Sequence, residues 1–123
     1  MASSTPKSLL VLLTAVALLF AAPAAAQGYW GSIAVDPETG AYGVSYEEPT
    51  ANAAKRKARS ECGSPGCRVA AWVSNGFAAL VRKKNGIYFA GIGRTENLAK
   101  KNARAHARDS HARYITSVFS GLS

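Results

Sequence analysis

The chain is poor in the groups that most enzymes use. It has two histidines, two cysteines and seven carboxylates in 123 residues. Two cysteines build neither a four-thiolate zinc site nor a disulfide scaffold. No Gly-x-Ser-x-Gly elbow, His-Glu-x-x-His pair or phosphate loop occurs. Gly91-Ile92-Gly93 lacks the third glycine of a dinucleotide fingerprint. His106 and His111 lie five apart and do not share a helical face. Glu47 and Glu48 are neighbours, so on a strand they point apart. Asp36 and Glu38 fall in a turn, where Asp bonds local amides. Asp109 beside the histidines reads as helix-end charge rather than a dyad. These absences predict a non-enzyme with no cofactor, no metal and no small-molecule substrate. The length leaves no room for a nucleotide domain plus a substrate domain. A composition of 48% apolar and 18% charged residues argues against disorder.

Long apolar runs are equally scarce, and the one present is at the N-terminus. Lys7 precedes a 15-residue apolar run, Ser8 to Ala22; Pro23 ends it, and Ala24-Ala25-Ala26 follows. This is the layout of a cleaved secretory signal peptide over residues 1–26. A retained anchor is the alternative, but the run is short of a membrane span of about 20 residues. No cysteine follows it to carry a lipid, and no second run reaches that length. Residues 27–123 are expected to form a single exported domain without a transmembrane segment, in a secreted or periplasmic compartment.

Acidic charge is the next shortage. Without Lys7 the chain has 14 bases against seven acids, and residues 27–49 hold four acids and no base. A basic excess draws a protein towards anionic lipid or polysaccharide, or serves solubility alone. Nucleic acid is disfavoured as a partner by export.

What is present in abundance is internal similarity. Shifted by 45, residues 31–73 match 76–118 at ten of 43 positions, among them Thr50/Thr95, Ala54/Ala99, Lys55/Lys100 and Ala58/Ala103. Each copy has the same signals: strand, turn ending in Gly40 or Gly86, second strand, helix, third strand. Asn85-Gly86 is a hairpin cue. Thr50 and Thr95 stand at N-cap positions. The helices are predicted over 51–62 and 96–109, with alanine stripes narrow enough for close contact with a sheet. The expected fold is α+β: internally duplicated ββαβ units (about 31–73 and 76–119), mostly antiparallel sheet with two helices. The outer helix faces carry Lys55, Arg56 and Arg59 in one copy and Lys100, Lys101, Arg104 and Arg108 in the other. Side by side, they would form one anionic-partner face.

Cys62 and Cys67 bracket a Gly-Ser-Pro-Gly loop after the first helix. In an oxidising compartment a disulfide is the default; free thiols or a metal site with His106 and His111 are the alternatives.

The segment Tyr29 to Ala34, the strand Ala41 to Tyr46, the run Cys62…Gly66-Cys67-Arg68-Val69 and Gly93-Arg94-Thr95 together resemble a bacterial secreted family, domain of unknown function 4189, that includes small exported mycobacterial proteins. The resemblance covers residues 27–123 and implies a duplicated β-β-α unit; it brings no catalytic residues. Members often have cysteines where this chain has Phe77 and Phe119. That departure predicts packing of the two rings in place of a covalent link.

Two functions from different classes fit. One is an exported binding or effector module acting on an unknown protein or anionic surface, through the basic helix face. The other is an extracytoplasmic inhibitor or immunity-type protein that meets an enzyme through a loop or the acidic N-terminal edge, Asp36 to Glu48. A structural envelope role is a third.

Overall fold

A computed structural model describes residues 28–121; the signal peptide expected over residues 1–26 lies outside them. The order is β1 (Trp30–Val35), β2 (Tyr42–Glu48), α1 (Ala51–Cys62), β3 (Arg68–Ser74), β4 (Gly76–Arg82), β5 (Tyr88–Gly93), α2 (Glu96–Ala107) and β6 (Arg113–Ser120). The β-β-α-β order occurs twice, as expected. The strands divide into two antiparallel three-stranded sheets, β2-β1-β3 and β5-β4-β6, rather than one. The reason is visible in the central strands. β1 and β4 are apolar on both faces, so neither face can be left to water. Ile33, Val35, Ala71 and Val73 of the first sheet meet Ala78, Leu80 and Val118 of the second in a buried cluster. The opposite faces take the helices: α1 touches only β1–β3, and α2 only β4–β6. The result is four layers, helix–sheet–sheet–helix. The chain changes sheets at Asn75, which takes a left-handed backbone (φ 59°).

Helix docking explains the alanines. Ala54 and Ala58 of α1, and Ala99, Ala103 and Ala107 of α2, are buried. Gly43 and Gly91 complete the fit from the sheet side. A Cβ on Gly43 would lie 2.2 Å from the Cys62 nitrogen, and one on Gly91 2.2 Å from the Ala103 nitrogen. Thr50 and Thr95 cap the helices as predicted, accepting from the amides of Ala53 and Leu98 at 3.1 Å. The second helix stops at Ala107, two residues short of the predicted end. Arg108 occupies the left-handed C-cap (φ 52°), where the first helix has Gly63 (φ 75°).

The constant offset of 45 breaks in the second strands. Ala34 pairs with Gly43 and Ala79 with Gly91. Eight residues separate the first pair and eleven the second, so the β4–β5 hairpin is three residues longer.

Candidate functional site

The bases predicted to act together are placed on two opposite layers. Lys55, Arg56 and Arg59 lie on α1; Lys100, Lys101, Arg104 and Arg108 belong to α2 and its cap. The helices do not touch, so the single seven-base face is replaced by two. The structural cause is the split into two sheets, each covered by its own helix.

The α2 face is the more developed of the two. Lys100, Lys101, Arg104 and Arg108 line one shallow hollow of about 640 Å³, with Asn97, Ala105, Asp109 and Ser110. Two of the four are held by the protein itself. Lys100 Nζ lies 3.0 Å from a Glu96 carboxylate oxygen and 4.1 Å from the Tyr114 ring centroid. The hydrogen bond and charge of Lys100 hold the Glu96 carboxyl below its usual range, against a desolvation that raises it. Arg104 Nε donates to the Ala112 carbonyl at 3.0 Å, which fixes the guanidinium across the loop into β6. Lys101 and Arg108 are exposed. On the α1 side, Lys55 is also held, 3.7 Å above the Trp72 ring centroid. Lys55 and Lys100 are equivalent in the shift of 45, and each caps an aromatic ring of its third strand.

The histidines serve the local backbone. His106 Nδ1 lies 2.7 Å from the Ala90 carbonyl, and Asn102 donates to the Ile92 carbonyl at 2.6 Å. Together they cover carbonyls of β5, an edge strand that would otherwise invite pairing. Asp109 accepts from the His111 amide at 2.9 Å, a local turn bond.

Cys62 and Cys67 form a disulfide with Cα atoms 6.3 Å apart. Its loop closes over Asp36, which is almost fully buried. The Asp36 carboxylate accepts from the Ser64 hydroxyl and from the Glu38 amide at 3.0 Å. These bonds, Ser64 first, hold its carboxyl below the usual range. Gly66 fits closely here, since a Cβ would meet an Asp36 carboxylate oxygen at 2.9 Å and displace it. Phe77 and Phe119 are directly opposite on β4 and β6, with centroids 4.9 Å apart. The predicted ring contact is present.

The family of domain of unknown function 4189 (DUF4189) matches over residues 30–118. The chain belongs to that family. No curated protein and no solved structure matches this DUF4189 chain. Among the described residues, no helix is long and apolar enough to cross a membrane.

One group of bases escaped the sequence reading. Arg82, Lys83 and Lys84 look like ordinary turn residues in sequence. Their convergence with Arg113 follows from strand register. The signal available was the three-base run itself, in a hairpin whose first-copy counterpart carries acids.

Proposed function

We propose that this DUF4189 domain is a non-enzymatic, exported binding module that engages an anionic surface through its α2 face. The observation that carries the reading is the hollow lined by Lys100, Lys101, Arg104 and Arg108. Glu96 and Arg104's backbone acceptor orient two of these bases, leaving Lys101 and Arg108 exposed for a partner. Preorganised charge of this kind strengthens and steers association with anions. The Cys62–Cys67 disulfide supports an extracytoplasmic location, as such bonds persist in oxidising compartments.

The test uses the disulfide-intact chain against neutral vesicles, phosphatidylglycerol vesicles and an acidic polysaccharide. Retention on an anionic partner at about 0.15 M salt, lost in Lys101→Ala/Arg104→Ala, is the expected result. Equal retention of that variant and the unaltered chain would contradict the reading.

A second reading is an inhibitor or immunity-type role through the acidic edge. It is favoured by a hollow on β2 where Tyr46, Glu47, Glu48 and Glu61 meet Lys57. That reading predicts capture of a basic enzyme, weakened by Glu47→Gln/Glu48→Gln.

A further inference from the structure

The β4–β5 hairpin ends in a concentration of positive charge that has no counter-ion among the described residues. Arg82, Lys83, Lys84, His111 and Arg113 line one hollow of about 340 Å³, and no carboxylate joins them. They come from separate segments: the end of β4 with its turn, and the loop and start of β6. Strand register sets Arg82 directly opposite Arg113. Like charges in that position repel one another. Among the described residues the ion pairs are Lys57–Glu61 and Lys100–Glu96, so neither arginine is neutralised. Arg82 Nε is buried and has no hydrogen-bond acceptor among the described residues. Its guanidinium sits 5.5 Å from the Tyr88 ring centroid and against Gly86, where a Cβ would lie 3.3 Å from one of its terminal nitrogens. The arginine is therefore held in place by packing, with its charge uncompensated.

The first unit shows what is different here. Its shorter hairpin has Asp36, buried and hydrogen-bonded, where the second has Val81 by the shift of 45. The first unit brings its own anion to the loop before its third strand. The second lengthens the hairpin by three residues and fills it with bases.

We propose that this hairpin tip binds a phosphate-group oxyanion, with Arg82 and Arg113 as guanidinium forks and Lys83, Lys84 and His111 around them. Two forks and two ammonium groups suit the several acceptor oxygens of a phosphate. The site shares no lining residue with the α2 hollow; Arg104 of that hollow braces the loop between His111 and Arg113 through the Ala112 carbonyl.

The experiment titrates the full, disulfide-intact chain with inorganic phosphate, and with chloride at equal ionic strength, following arginine Nε and histidine ring signals by NMR. Saturating shifts at Arg82, Arg113 and His111 with phosphate alone are expected. Arg82→Gln/Arg113→Gln should weaken that response by about tenfold or more, the ratio for losing a charge-assisted contact. Lys83→Ala/Lys84→Ala, at turn positions, tests the same site with little risk to the fold and should also weaken it. Lys101→Ala, on the exposed face of α2, should leave it unchanged. A second arm compares phosphatidylglycerol with phosphatidylcholine vesicles: retention lost in Lys83→Ala/Lys84→Ala assigns the phosphate to a lipid headgroup. Saturation by inorganic phosphate without such retention assigns it to a free phosphate. Identical, non-saturating responses to phosphate and chloride with no hairpin-dependent retention would overturn the proposal. So would a phosphate response abolished by Lys101→Ala and kept by both hairpin variants, a result that leaves the α2-face reading standing.

Discussion

The two units share a frame and differ in where they put charge. In the first, the turn after β1 is acidic, and the disulfide loop folds over its one buried carboxylate. In the second, the corresponding hairpin is longer and basic, and the loop before β6 carries Asp109, Ser110 and His111 without a disulfide. The helix caps repeat the contrast: Gly63 at one end, Arg108 at the other, in the same left-handed backbone. The comparison teaches that the helix–sheet docking is the constant part. The hairpins and helix C-termini are the parts that differ.

The largest expected effect falls on the constant part. Gly43→Ala and Gly91→Ala each force a Cβ into helix backbone, and each should cost about 3 kcal/mol or more in chemical denaturation. Similar losses at both positions sharpen the equivalence of the units; tolerance at one breaks it. Replacing both cysteines by serine should cost about 2 kcal/mol, as expected for opening a short loop. It should also remove the Ser64 bond to Asp36.

That bond gives the first unit its own pH dependence. The folded Asp36 carboxyl titrates below its ordinary value of 3.8, so the folded chain binds fewer protons there than the unfolded one. Its stabilisation is therefore present above about pH 4 and is lost as pH falls through the lowered folded value. Asp36→Asn should flatten that acid limb in thermal melts. Glu96 gives the second unit a limb of the same sign, which Lys100→Ala should remove. If Asp36→Asn leaves the limb unchanged, the buried turn contact is not a source of stability.

Smaller effects follow at the surface. Phe119→Ala should cost about 1 kcal/mol, since the ring is half exposed and its main partner is Phe77. Arg108→Gly should stabilise the chain by about 0.5–1 kcal/mol by relieving a left-handed backbone at a residue with a Cβ.

Much of this frame was legible in the sequence because it rests on local rules. Thr50 and Thr95 announce helix starts through capping, the alanine stripes announce close docking, and Asn85-Gly86 announces a hairpin. Phe77 and Phe119 stood out against the family pattern. The division into two sheets was not legible from the alternation in β2 alone; it follows from the apolar character of both faces of β1 and β4. The single basic face failed for the same reason, since side-by-side helices require one shared sheet. The early stop of α2 was hidden because Arg108 takes a backbone usually given to glycine. The hairpin cluster needed the Arg82–Arg113 register, a non-local fact that no run of residues states.

The central proposal is that charge position, not net charge, would give the second unit a role in binding anions. The direct test removes two positive charges from either unit: Arg56→Ala/Arg59→Ala on α1, or Lys101→Ala/Arg104→Ala on α2. Retention on phosphatidylglycerol vesicles at about 0.15 M salt is then compared. The account predicts loss for the α2 pair and near-normal retention for the α1 pair. Equal loss for both would contradict it and reduce the basic surface to a uniform field.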